Sequence, residues 1–353
     1  MLLGRRLKGI ILGVSLVSAL AMGKDKINLG YYNCDHMTAA PVAQYTGIFD
    51  QLGLDVNVSG NGNVPQAMIA GRMDAGYVGI NNVFRSVHKG VPLVIGANNH
   101  KGGSYYLVVR NDIKDPKDLI GKKLAIGTHP EDNTGWTQMA AALGIPREGK
   151  NYQTIDIGSG IDAVMALKRG MIDGFTECDP WASYAEFIGA GKIMGTEKKL
   201  LNDKWGICCA FTLNKKFVEE KPELAAKLIQ AHGMAIEYIY LHPLKSAKIF
   251  AKAYKIPEEV AIMTIYKKTV GEGRTLTWDL NPQEIQNELD FVHEYKFVPE
   301  DVTYEKVTNE EIYKKANLKD FNKFIKENID PVFPEGMAYD QWLQKAKEVD
   351  GEK

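Results

Sequence analysis

AMIAGRMDAG at 67–76 and ALKRGMIDGF at 166–175 decide how this chain is read. Both carry the spacing Ala-x3-Gly-x2-Asp: Ala67, Gly71 and Asp74 in the first, Ala166, Gly170 and Asp173 in the second, 99 residues further on. The spacing alone is short, but the surroundings match as well. INLGYY (27–32), the helical PVAQYTGIFDQLG (41–53), the alternating LDVNVSG (54–60) and a Gly-rich loop precede the first copy, and AGYVGI (75–80) follows it. KKLAIGT (122–128), WTQMAAALGI (136–145), YQTIDIG (152–158) and a Gly/Ser loop precede the second, and IDGFTE (172–177) follows it. A period near 3.6 with glycine stops marks the helices, and alternation with β-branched residues marks the strands. Each half therefore reads as β-α-β-α-β, and repeated βαβ connections predict parallel sheets with helices on both faces.

The fold class is thus α/β, in two similar lobes. GGSYYLVVRNDIKDPKDLIG (102–121) links them, and a second strand, GICCAFTLN (206–214), follows the second lobe, so two crossing strands form a hinge. After Pro222 the chain turns helical, most clearly in KPELAAKLIQAHGMAIEYIYL (221–241), and these helices are expected on the first lobe. Lobe 1 then comprises residues 22–106 and 207–353, and lobe 2 residues 107–206.

Residues 1–21 read as a cleaved signal peptide. Arg5, Arg6 and Lys8 form a basic start, a short apolar run follows, and Ala19-Leu20-Ala21 is a small-residue cleavage pattern. Losing those three cations takes the formal net charge from −1 to −4. A mildly acidic mature chain is poorly suited to nucleic acid, whose affinity comes largely from Lys and Arg on phosphates. The expectation is a periplasmic monomer. The four cysteines, Cys34, Cys178, Cys208 and Cys209, are too few to define a disulfide scaffold. Cys208 and Cys209 read as small buried strand residues, and a Cys34–Cys178 bond between the lobes is disfavoured because it would lock the hinge.

In open α/β sheets ligands bind beyond the carboxyl ends of the strands. That rule selects NCDHMT (33–38), GNGN (60–63) and GINN (79–82) in one lobe, and THPEDNTGW (128–136), GSG (158–160) and TECDPW (176–181) in the other. Cys34-x-His36 lacks the spacing of a closed zinc site, and no CxxC, HExxH or GxSxG occurs. GNGNVP puts Pro65 where a dinucleotide fingerprint needs its third glycine. No catalytic residue, cofactor or metal is assigned. Asn33, Asn61, Asn81 and Asn82 offer donors and acceptors, Thr134 caps a helix start at DNTGW, and Trp136, Trp181, Tyr32 and Tyr77 offer flat apolar contact.

Several stretches resemble the periplasmic solute-binding proteins of nitrate-, sulfonate-, taurine- and thiamine-pyrimidine-type ABC importers. They are GIFDQLGLDV (47–56), AMIAGRMDAGYVG (67–79), IKDPKDLIGKKLAIG (113–127), TECDPWAS (176–183) and FVEEKPELAAKLIQA (217–231). The resemblance implies a type II periplasmic binding protein fold, a small-molecule ligand held between the lobes, and delivery to a membrane permease. By motif position it places the pocket at Asn33, Cys34, Asp35, His36, Met37, Asn61, Asn81, Asn82, Thr134, Gly135, Trp136, Asp179 and Trp181. The candidate loops hold Asp35, Glu131, Asp132, Glu177 and Asp179 but hardly any Lys or Arg. A buried carboxylate facing an anion would cost several kcal/mol. The expected ligand is therefore an amine or nitrogen heterocycle rather than nitrate. Alternative readings are an exported sensor or metal-binding protein, and an enzyme like the synthases of the thiamine pyrimidine.

Overall fold

A computed structural model describes residues 25–32, 34–60, 63–103, 105–196, 199–201 and 203–352. The expected signal peptide, Asn33 and Asn61 lie outside the described residues, and of Asp35 only the backbone is described.

The repeated motif has one structural meaning in both halves. Its glycine ends a helix in the left-handed region, at φ +64° in Gly71 and +68° in Gly170, where a side chain would be strained. The two N–H groups at that stop turn back onto the helix: Gly71 to Met68 O and Arg72 to Ala67 O, then Gly170 to Leu167 O and Met171 to Ala166 O. This satisfies carbonyls that a helix end leaves without partners. The aspartate three residues on ties the next strand to its neighbour. Asp74 Oδ2 accepts from the Asn28 N–H at 2.8 Å, and Asp173 Oδ2 accepts from the Lys123 N–H at 2.9 Å.

Two five-stranded sheets result. The first contains β1 (Lys26–Gly30), β2 (Asp55–Ser59), β3 (Ala75–Gly79), β4 (Leu93–Lys101) and β10 (Ile207–Asn214), in the order β2-β1-β3-β10-β4. The second contains β5 (Tyr105–Val109), β6 (Lys123–Ala125), β7 (Gln153–Ile155), β8 (Gly174–Cys178) and β9 (Lys192–Thr196), in the order β7-β6-β8-β5-β9. The orders correspond strand for strand. The sheets are mixed, which corrects the all-parallel expectation: β10 runs antiparallel to β3 and β4, and β5 antiparallel to β8 and β9. These are the two strands that follow a crossing. Each arrives from the other sheet at the carboxyl ends of its neighbours and must run against them. The crossings touch, with Gly102 N–H donating to Gly206 O at 2.8 Å.

Side-chain alternation buries both faces of the first sheet. Tyr77 and Phe211 join one cluster, Val78 and Ala210 the other. The first cluster is closed by the helix Pro222–Leu241, through Ile229, Ile236 and Ile239. The helical C-terminal region also reaches the second sheet. Past the helix Glu258–Tyr266 the chain widens into a π turn at Lys267–Gly271. Lys267 Nζ there pairs with Asp179 Oδ2 at 3.4 Å and donates to Ser183 Oγ at 2.8 Å.

Candidate functional site

The strand ends converge on a cleft of about 500 Å³ between the sheets. From the first sheet come the turn after β1, with Tyr32, Cys34 and His36, and the helix Ile80–His88, with Asn81, Asn82 and Arg85. From the second come Thr128 after β6, Asp156 after β7, and the helix Thr134–Leu143, with Thr134, Gly135 and Gln138. The crossings supply Tyr105 at the start of β5 and Cys208 and Cys209 at the start of β10.

A short hydrogen bond spans the cleft: Asn81 Nδ2 donates to Thr134 Oγ1 at 2.5 Å. Asn81 Oδ1 is shielded from solvent and has no hydrogen-bond partner among the described residues. An acceptor left so costs about 1–3 kcal/mol. Arg85 reaches the Asp132 carbonyl from the same helix face, at 3.5 Å. Asn133, rather than Thr134, caps its helix, accepting from the Trp136 N–H at 3.0 Å, which leaves the Thr134 hydroxyl to the cleft.

The floor is rich in sulfur and imidazole. Cys34 Sγ lies 2.9 Å from His36 Nε2, Cys208 Sγ lies 3.5 Å from Cys209 Sγ, and Tyr32 Oη lies 3.8 Å from Cys209 Sγ. The Cys209 contact pulls the Cys208 thiol well below its ordinary range; burial opposes this, and the His36 and His100 imidazoles favour the thiolate. Burial lowers His100. Burial raises Tyr32 well above the usual phenol range.

The structure thus brings Cys34, His36, Asn81, Asn82, Thr134 and Gly135 to one cleft, together with Tyr32, and places Met37, Trp136, Asp179, Trp181 and Tyr77 elsewhere. Met37 is fully buried in the first sheet's core. Trp136 points to the far side of its helix, edge-on to Tyr152, with its indole N–H on the Arg147 carbonyl at 2.8 Å. Asp179 accepts from the Ser183 N–H and hydroxyl, at 2.8 and 2.9 Å, and faces Lys267. Trp181 packs over Gly160. Tyr77 is a core residue bonded to His232 Nδ1 at 3.0 Å. Of the loop acids, Asp132 lines the cleft, and the cleft also holds charge that the loop reading missed: Arg85, Lys199, Asp156 and Glu288. Glu131 and Glu177 do not line it, and burial foremost raises Glu177 to about 6. Arg85 and Gln138 were accessible from sequence, since each stands four residues after a candidate, Asn81 or Thr134, on the same helix face.

Two sheets of matching order, crossed twice and facing one cleft, define a type II periplasmic binding protein fold. The profile of the NMT1-like family matches residues 21–254, and the chain belongs to that family. A Staphylococcus aureus structure, the ligand-binding component of an ABC-type import system with zinc bound, covers 83% of this chain and 99% of its own, with a TM-score of 0.66 at 16% identity. The periplasmic nitrate-binding protein of Synechocystis PCC 6803 covers 92% and 98%, with a TM-score of 0.63 at 17% identity. A 4-amino-5-hydroxymethyl-2-methylpyrimidine phosphate synthase of Saccharomyces cerevisiae is 24% identical over 262 residues, which span 64% of this chain and 71% of the relative. Among the described residues no helix is long and apolar enough to cross a membrane.

Proposed function

We propose that this chain is an extracytoplasmic solute-binding protein, which captures a small organic molecule between its lobes and presents it to the permease of an ABC importer. Asn81 carries the reading. Its Nδ2 already bridges the cleft to Thr134, while its Oδ1, on the same cleft-lining residue, has no donor among the described residues. A ligand N–H would satisfy that acceptor, which favours an amine or nitrogen heterocycle. Arg85 and Lys199 can take an acceptor or acidic group on the same molecule. Closure about the two crossings would shut the cleft, and Gly102, at φ +69°, stands at one of them.

Mass spectrometry of what co-purifies, followed by a thermal-shift panel, tests this. A ligand at a hundred times its Kd adds about 2.7 kcal/mol to the folded state. Amines or heterocycles should raise the melting point, and Asn81→Ala should abolish the shift. A response to nitrate or alkanesulfonates alone would refute the proposed ligand class.

The yeast synthases support a second reading, in which the chain is an enzyme, and the close Cys34–His36 pair favours it. Turnover of a pyrimidine precursor, or covalent change at His36, would establish that reading.

A further inference from the structure

The cleft floor brings together groups that the ligand reading does not use. One donor atom from each of His36, Cys208 and Cys209 lies within 4.8 Å of the other two. His36 and Cys209 are buried, and Cys208 is half-buried. These residues come from distant parts of the chain: the turn after β1 and the start of β10. They meet because β10 enters the first sheet at the carboxyl ends of its parallel strands.

His100, on β4, is an independent observation at the same place. Its ring is fully buried, and its centroid lies 5.0 Å from that of His36. It also acts on the Cys208 thiol. Neither of its ring nitrogens has a hydrogen-bond partner at acceptable geometry among the described residues. A buried imidazole whose nitrogens meet no partner at good geometry, with the Cys208 thiol beside them, needs an explanation, and an ion is one.

We infer that His36, Cys208 and Cys209 bind one soft or borderline d10 cation, Cu(I) or Zn(II), with His100 as an additional nitrogen donor or an outer partner. Two thiolates and an imidazole form the donor set such ions select, and no carboxylate belongs to the cluster. Hard cations such as Mg(II) and Ca(II) prefer oxygen and are excluded by the same chemistry. Cys34, at 2.9 Å from His36 Nε2, is close enough to orient that ring. Because the three donors line the cleft, the ion would face whatever enters it. The site stands whether or not the organic ligand does.

The test uses the purified chain, reduced and stripped by a chelator. Zn(II) is titrated against a chromophoric zinc indicator, and Cu(I), under argon, against a chromophoric Cu(I) chelator. One equivalent of at least one ion should be held. Cys208→Ser with Cys209→Ser should weaken it by more than about 100-fold, beyond what loss of an outer partner alone produces. His36→Ala should weaken it too, and Cys178→Ser should leave it unchanged. Asn81→Ala should retain the ion while losing the organic ligand, which separates failure of this site from failure of the transport reading. Should the double variant not fold, Co(II) added to the unmodified chain reads the ligands directly, since thiolate ligation gives an intense near-ultraviolet charge-transfer band. No equivalent of either ion, full affinity in a folded double variant, or a Co(II) spectrum without that band would each overturn the inference.

Discussion

Replacing Lys268 by Met should unfasten the C-terminal region from the second sheet. Lys268 is 1% exposed, and its Nζ lies 2.8 Å from Tyr106 Oη and 3.0 Å from Glu272 Oε2. Tyr106, on β5, donates to both Glu272 oxygens at 2.7 and 2.9 Å. The π turn at Lys267–Gly271 lets two successive lysines face the Tyr106 ring, at 4.9 and 5.0 Å from its centroid. Removing one member of a buried pair costs about 3–5 kcal/mol, because the other charge stays behind. The Glu272 side chain is 19% exposed, so water recovers part of this and about 2–4 kcal/mol is expected. At about 2–4 °C per kcal/mol for chains of this order, the melting point should fall by roughly 4–16 °C. The double variant Lys268→Met with Glu272→Gln should return to within about 1 kcal/mol of the parent, since neutral side chains at both positions leave no buried charge without its partner. Thermal melts followed by circular dichroism decide it. Burial pushes Glu272 up, but Lys268 foremost, then the Tyr106 hydrogen bond and Lys267, outweigh it and leave the carboxyl below its ordinary value. A folded value below the unfolded one gives stability that is present above the unfolded pKa and lost as pH falls through the folded one. The parent should therefore lose this contribution in acid, and the Lys268→Met variant should lack that step. A Lys268→Met chain within about 0.5 kcal/mol of the parent, or a double variant as weak as the single, would refute the reasoning.

Asp74→Ala and Asp173→Ala should destabilise by similar amounts, about 1–3 kcal/mol each, by stranding the Asn28 and Lys123 N–H groups; denaturant melts showing one neutral and the other costly would break the equivalence of the two halves. Gly160→Ala should cost about 1–3 kcal/mol in the same melts, since its Cβ would lie 2.2 Å from the Trp181 ring. Burial raises Glu284 to about 7, so its neutral form is favoured by folding, and the contribution present at low pH is lost as pH rises through 7. Glu284→Gln should accordingly gain stability over the parent at pH 8 and little at pH 5, and equal gains at both would exclude this titration.

The duplicated architecture was legible because its punctuation is local. A helix stop that needs a left-handed residue selects Gly71 and Gly170, and an aspartate positioned to tie the next strand selects Asp74 and Asp173. Strand direction was not, because parallel and antiparallel neighbours place the same demand on a buried strand. GICCAFTLN carries no mark that it enters its sheet backwards. The candidate site divides along the same line. The rule that ligands meet strand ends found the loops, and so reached Cys34, His36, Asn81, Asn82, Thr134 and Gly135. It could not tell which way each side chain turns. Trp136 follows Thr134 by two residues, about 200° around a helix, and so must face away from whatever Thr134 faces. Gln138, four residues on, must share its side. Helical period applied inside the loop-helix junction would have exchanged one for the other. For Asp179 no such repair exists. Its partner Lys267 arrives from 88 residues downstream, and nothing near Asp179 announces it. The floor cluster is the same case. Cys208 and Cys209 read as quiet strand residues until β10 is placed, and only that placement sets them beside His36 and His100.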